Sequence, residues 1–324
     1  MCTAATYQTK DHYFGRNLDL EYSYHEEVTV TPRNYPFRFR CMGDMPSHYA
    51  MIGMATVIDD YPLYYEATNE KGLSVAGLNF VGNTVYFPPE EGKENLAQFE
   101  LIPYLLGRCA DLAQARELLG RINMTDIRFS EQFPPSSLHW LISDRSGSIV
   151  AESVAEGLKV YENPVGVLTN NPPFPMQLFN LNNYRALSPS TPQDTFAPGV
   201  SLQRYSNGMG GMGLPGDFSS MSRFVRAAFV KLNSLSGEGE SESVSQFFHI
   251  LGSVAQYRGS VHIHDGKFEI TEYSCCCNTD KGLYYYTTYE NSRISCVDMH
   301  KEDLDGRALS RFPLVRGQQF LFQN

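Results

Sequence analysis

The chain has 324 residues, 42% hydrophobic and 13% aromatic, with 26 Lys and Arg against 36 Asp and Glu for a formal net charge of −10. Its 20 Tyr and 20 Phe exclude an intrinsically disordered polymer, and its length allows a sizeable buried core. The acidic balance speaks against nucleic acid as a partner, and no run approaches the roughly 18 apolar residues of a membrane span.

In chain order, β-structure comes first. Thr3 to Thr9 is a run of β-branched, small and aromatic residues stopped by Lys10-Asp11, and His12 to Asp19 resumes after a hairpin-length gap. Val28 to Thr31 ends at Pro32. Leu63 to Ala67 and Leu73 to Phe80 flank the turn Asn69-Glu70-Lys71-Gly72. Helical spacing then takes over: Phe99, Ile102, Leu105 and Leu106 recur near 3.6 residues, and Leu112, Ala115, Leu118 and Leu119 repeat the pattern behind Asp111 as a cap. Leu138 to Ser143, Ser148 to Ser153 and Leu158 to Tyr161 return to strand character.

Residues 187–217 are rich in Ser, Pro and Gly and read as one long loop, which is usually functional, an assembly arm or a linker. Two amphipathic helices follow. Phe224, Val225, Ala228, Phe229 and Leu232 share one face of the first, and Val244, Phe247, Phe248, Leu251 and Val254 mark the second. The end of the chain is β again, notably Leu283 to Tyr289. Strands, helices, strands, helices, strands suggest one α+β domain over residues 2–324, with helices grouped on sheets.

The N-terminus has neither a basic nor an apolar leader region, so no secretory signal is expected. Seven cysteines, an odd number, then read as free thiols in a reducing, cytoplasmic setting. No C-x-x-C pair supports zinc, and His262 and His264 read as a surface strand before they read as ligands. No metal or cofactor is expected.

Cys2 directly follows the initiator methionine and is small enough for Met1 to be removed. Removal leaves an α-amine (ordinary pKa about 7.7–8.0) and a thiol (about 8.5) on one residue, close enough in proton affinity to exchange a proton near neutrality. The amine then serves as general base and the thiolate as nucleophile. By position alone, Cys2 suits the first residue of a buried strand equally well. The segment Gly15-Arg16-Asn17-Leu18-Asp19 tips the balance: in a hairpin of the first two strands it lies alongside Cys2, with Arg16 placed to stabilise a thiolate and Asp19 to orient an amine.

The Met-Cys-Thr start and the Gly-Arg-Asn-Leu-Asp segment resemble the choloylglycine hydrolase family of N-terminal-nucleophile hydrolases, which contains bile salt hydrolases and penicillin V acylases. Five further matches follow in order: Asn69 to Leu73, Ala76 to Phe80, Leu138-His139-Trp140, Val167 to Pro172, and Gly213 to Asp217 leading to Ser222 to Arg226. The resemblance covers essentially residues 1–300. It implies a four-layer αββα sandwich, a nucleophile at Cys2 flanked by Arg16 and Asp19, and an oxyanion hole from the Asn170 side chain and the Asn79 main-chain N–H. It implies a supporting role for Arg223. Asn171 adjoins Asn170, and Arg226 lies near Arg223; helix spacing alone does not choose between the arginines.

The implied reaction is hydrolysis of a conjugated bile salt. Penicillin V acylase is the alternative, although Asn79 favours the bile salt branch by resemblance. A non-enzymatic protein binding a hydrophobic ligand is the alternative from another class, and it leaves Arg16, Asp19 and Asn170 without a purpose. The aromatic excess fits a pocket for a rigid apolar substrate, although any single aromatic is more often core. Family members are commonly homotetramers, and 187–217 is the expected assembly arm. Cys275 to Cys277 are assigned no catalytic role.

Overall fold

The computed structural model describes residues 1–264 and 266–324. The chain opens with strands β1 (Cys2–Gln8), β2 (His12–Leu20) and β3 (Glu27–Thr31), followed by the short pair β4 (Phe37–Phe39) and β5 (Gly43–Met45). Next come β6 (Met51–Ile58), β7 (Tyr61–Asn69), β8 (Ser74–Asn79) and β9 (Glu94–Ala97). Helices α1 (Leu101–Arg108) and α2 (Leu112–Leu119) lead to β10 (Ile122–Thr125), β11 (Leu138–Asp144), β12 (Gly147–Val154), β13 (Gly157–Glu162) and β14 (Val167–Leu168). Helices α3 (Phe174–Asn180), α4 (Ser220–Asn233) and α5 (Glu240–Gly252) precede β15 (Ile270–Asn278), β16 (Leu283–Thr288), β17 (Asn291–Asp298) and β18 (Ser310–Pro313).

Two antiparallel sheets dominate. One runs β14-β1-β2-β15-β16-β17 and the other β13-β12-β11-β8-β7-β6-β3-β18. Side chains alternate across each strand, so every buried strand feeds two layers of packing. Ala76, Leu78, Leu141 and Val150 face inward and join Phe14, Leu18, Tyr273 and Cys277 of the facing sheet in one core. That core continues to Phe224 of α4 and Phe247 and Leu251 of α5. Val75, Trp140, Ile142 and Ala151 face outward and pack with Leu105, Leu106, Ala115 and Leu118 of α1 and α2. The result is the four-layer αββα sandwich of N-terminal-nucleophile hydrolases.

Local chemistry sets the element ends. The Asp111 side chain accepts from the Gln114 N–H and caps α2, as expected from its position, and Ser219 caps α4. Gly15 is required by close approach: a Cβ there would collide with the Cys275 carbonyl across the β2–β15 pairing. Residues 187–217 form the expected long loop, carrying only a short 3-10 turn at Met209–Gly211.

Two details differ from expectation. Leu232 is 58% exposed, since it lies beyond the buried stretch of α4 at residues 223–228. Among the described residues His262 and His264 do not share a strand: His262 forms an isolated bridge with Phe268, and Gly259, at φ +93°, turns the chain just before them.

Candidate active site

The first hairpin assembles the site. In the β1–β2 ladder, Cys2 is paired with Leu18 and Ala4 with Arg16. Cys2 and Arg16 therefore occupy the same face as diagonal neighbours, within reach of a long side chain. This is the inward face between the sheets, where both residues are buried. Thr3 and Asp19 take the opposite face, toward α4 and α5. The nucleophile candidate and its two charged neighbours are thus sorted by strand parity alone.

Arg16 fills a gap in the second sheet. The β6–β7 ladder slips beside Tyr65, and β7 pairs with β8 only from Thr68–Ser74 to Glu66–Ala76. Beyond that point the strand carbonyls lack ladder partners, and Arg16 Nη1 donates to Gly77 O at 2.6 Å and Tyr65 O at 3.1 Å. Its Nε lies 3.7 Å from the buried Glu66 carboxylate, which accepts from Tyr273 Oη at 2.7 Å and Tyr284 Oη at 2.5 Å. Burial opposes the Arg16 charge, but Cys2, Tyr273 and Glu66 outweigh it and hold the guanidinium protonated. Its Nη2 is buried and has no hydrogen-bond partner among the described residues.

On the other side, Arg223 reaches in from the first turns of α4. It donates to Cys2 O at 2.5 Å, Thr3 Oγ1 at 2.6 Å and Asn170 Oδ1 at 2.7 Å, and it lies 3.9 Å from Asp19 Oδ2. Burial pulls its pKa down while Asp19 and Cys2 oppose that. Asp19 is itself buried, which raises its pKa against the pull of Arg223, and Oδ1 accepts from Thr271 Oγ1 at 2.6 Å. Arg226 goes elsewhere, donating to the carbonyls of Ser253, Pro215 and Asp217.

Because Arg223 can only donate, it fixes the Asn170 amide with its oxygen toward Arg223 and Cys2. Oδ1 also accepts from the Cys2 N–H at 2.8 Å, and Nδ2 donates to Asn79 O at 2.8 Å. The Phe80 N–H bonds Ser137 O on the β11 side. Asn79, one residue earlier, therefore directs its N–H and C=O to the opposite edge, where β7 no longer pairs. The Asn170 amide nitrogen and the Asn79 N–H meet at that edge. Asn171 bonds Val81 O instead and does not reach Cys2.

The Met1 amine extends the hairpin. It donates to Asp19 O at 2.8 Å, contacts the Glu269 carboxylate, and Met1 O accepts from the Asp19 N–H at 3.0 Å. Burial lowers the pKa of this amine, opposed by Cys2 and Asp19.

Sequence reasoning missed several contributors. Glu66 under Arg16, Thr271 on Asp19, and Ser220 Oγ, which accepts from the Asn170 N–H at 2.8 Å, carry no local signal in the sequence. Cys275 donates to Glu66 at 3.4 Å, and burial pushes its thiol pKa well up, as it does for Cys276. Much of the aromatic content goes to the core rather than to a pocket: Tyr13, Phe14, Phe80 and Tyr273 are buried, while Tyr22 and Tyr24 stand exposed at the Cys2 end of the hairpin. Two surface cavities, of about 570 and 450 Å³, lie elsewhere and include none of the six candidate residues. Among the described residues no group of three or more His, Cys, Asp or Glu could hold a metal, and no helix is long and apolar enough to cross a membrane.

A sandwich that places a second-position cysteine between a buried arginine and an asparagine amide defines an N-terminal-nucleophile amidase. The comparisons give the particular family: residues 2–312 match the model of the linear amide C–N hydrolases, choloylglycine hydrolase family, and the chain belongs to that family. It is 57% identical over 324 residues to a bile salt hydrolase/transferase of Lactiplantibacillus plantarum, covering 100% of both chains. It is 40% identical over 321 residues to a bile salt hydrolase/transferase of Clostridium perfringens, covering 96% of each. A solved mutant of the conjugated bile acid hydrolase from Clostridium perfringens superposes with a TM-score of 0.93 at 38% identity over 100% of both chains. Penicillin V acylase from Agrobacterium tumefaciens shares the fold, with a TM-score of 0.78 at 19% identity over 99% of this chain and 94% of that one.

Proposed function

We propose that the chain hydrolyses the amide bond of glycine- or taurine-conjugated bile acids, with Cys2 as nucleophile once Met1 has been removed. The observation that carries this reading is the set of contacts around one residue: the Cys2 nitrogen on Asn170 Oδ1, the Cys2 carbonyl on Arg223, and Arg16 on the face of its thiol. The bile salt hydrolases among its relatives support the substrate class.

The steps follow from the chemistry of these groups. With Met1 gone, the Cys2 nitrogen is an amine held by Asn170 Oδ1, and it takes the proton of the thiol. Arg16 stabilises the thiolate. The sulfur attacks the substrate carbonyl, and the developing oxyanion is met by the Asn170 amide and the Asn79 N–H. One such donor contributes about 2.7–4 kcal/mol. The amine returns the proton to the departing nitrogen as the C–N bond breaks, leaving a thioester on Cys2. Water then gives a proton to the same amine, attacks the thioester, and releases the free bile acid and the thiol. Asp19 and Arg223 hold the charges around this terminus in place.

Residues 2–324 act as one domain in the cytoplasm, the protein assembles as a homotetramer, and 187–217 is the assembly arm. Exposed Phe196, Leu202, Tyr205 and Met212 on that loop support its burial against another copy. The kinetic test compares glycocholate and taurocholate with phenoxymethylpenicillin. Much faster cleavage of the penicillin would overturn the bile salt assignment in favour of penicillin V acylase.

A further inference from the structure

The motif Leu138-His139-Trp140 has no part in the reaction as written, yet His139 is fully buried between the sheets. It stands directly opposite Glu152 in the β11–β12 ladder, and Glu152 is equally buried. His139 Nδ1 lies 3.0 Å from Glu152 Oε1, and Nε2 lies 2.9 Å from the carbonyl oxygen of Thr169. A carbonyl only accepts, so Nε2 must carry a proton. A second proton must then sit between Nδ1 and the Glu152 oxygen, on either atom. The ring is flanked by acceptors on both sides, and the pair holds two protons in total.

What the pair touches gives it a purpose. Thr169 immediately precedes Asn170, and the Phe80 ring, immediately after Asn79, stacks on the imidazole with centroids 4.3 Å apart and planes 6° from parallel. Glu152 Oε1 also accepts from the Phe174 N–H at 2.9 Å, which ties in the start of α3. From α3, Gln177 Oε1 accepts from Thr169 Oγ1 at 2.7 Å, and Gln177 Nε2 donates to the Asn170 carbonyl. One imidazole therefore backs both halves of the proposed oxyanion hole, one at the end of β8 and the other just after β14, which belong to different sheets.

We propose that His139 and Glu152 are positioning residues: a proton-sharing pair that sets the Asn170 amide against the Asn79 N–H. The role rests on the oxyanion-hole reading above. It needs a glutamate rather than its amide, because Glu152 Oε1 must engage Nδ1 and accept from Phe174 at once. With Gln at 152, an oxygen at that position leaves a bare Nδ1 facing it or a buried imidazolium without a counter-charge. A nitrogen there leaves the Phe174 N–H facing a donor.

The test is a double-mutant cycle on bile salt hydrolysis, with E152Q, N170A and the pair. Supporting elements of this kind typically change activity about 10–100-fold. E152Q should lower kcat by about that factor, leave KM within about threefold, and leave the rate of Cys2 alkylation by iodoacetamide unchanged. On the N170A background, E152Q should cost less than about threefold more, since the amide it positions is gone. F80L, which removes the stack while keeping a buried apolar side chain, should lower kcat by about three- to tenfold and serves if E152Q does not fold. Wild-type kcat in E152Q, multiplicative losses in the cycle, or full kcat in F80L would each overturn the proposal while a large N170A defect leaves the oxyanion hole standing. Full turnover in N170A would overturn the oxyanion-hole reading, and the role of the pair with it.

Discussion

Replacing Arg223 by methionine separates its electrostatic role from its packing. Arg223 Nη1 lies 3.9 Å from Asp19 Oδ2, and both side chains are wholly buried. At that separation and an effective dielectric of about 20, the attraction is about 4 kcal/mol. This agrees with the roughly 3–5 kcal/mol typical of breaking a buried pair from one side. R223M should therefore lose about 4 kcal/mol of unfolding free energy, and D19N a comparable amount. The R223M/D19N double variant should be at least about 2 kcal/mol more stable than the sum of the two losses, because neither charge is then left alone. Urea unfolding can be followed by the fluorescence of Trp140, the single tryptophan, which is fully buried. The pH dependence adds a second check. Burial already raises the Asp19 pKa, and without Arg223 that rise is less opposed, so the folded carboxyl binds its proton more tightly than the unfolded one. The defect of R223M should then shrink in acid and grow as pH rises through the folded pKa. Losses that add to within about 0.5 kcal/mol, with no pH dependence, would refute the charge argument.

Protein made with methionine removal blocked should weigh one methionine more and show no turnover, and trimming with an aminopeptidase should restore it; turnover with Met1 in place would remove the amine from the mechanism. His12 is held neutral by burial, its pKa lowered from 6.5 to about 4. The unfolded state binds that proton first, so about 3 kcal/mol of stability should be lost as pH falls from 6.5 toward 4. H12N should flatten this slope in urea titrations, and an unchanged slope would locate the acid sensitivity elsewhere. G15A should push β2 from β15 at the Cys275 carbonyl, costing about 1–3 kcal/mol with slower Cys2 turnover; unfolding and activity equal to those of the parent would show that the strands can yield.

The first hairpin was legible because its signals are local: an alternating run, a polar stop, and a second run that returns Arg16 and Asp19 to Cys2. The turn at Asn69 to Gly72 and the Asp111 cap were legible for the same reason. The choice between Arg223 and Arg226 was not. Both lie near the start of α4, and only the way α4 crosses β1 puts one on Cys2 and the other on the Ser253 carbonyl. The pairing of β2 with β15, some 250 residues apart, leaves no mark in either segment. Glu66 was equally hidden, because a glutamate in an alternating strand reads as solvent-facing until a second sheet closes over it. Asn170 and Asn171 were separated by motif resemblance, and the geometry gives the physical ground for it: one faces a donor from α4, the other the carbonyl of Val81.

The slip beside Tyr65 leaves the second sheet with two rungs that no strand supplies, and a guanidinium from the opposite sheet supplies them. Arg16 is thus a crosspiece of the scaffold as much as a neighbour of the sulfur. A side chain that donates fewer bonds at that site would leave those carbonyls without their partner as well as removing the charge beside the sulfur. Re-engineering this amidase around its nucleophile therefore begins with mending the seam that Arg16 now closes.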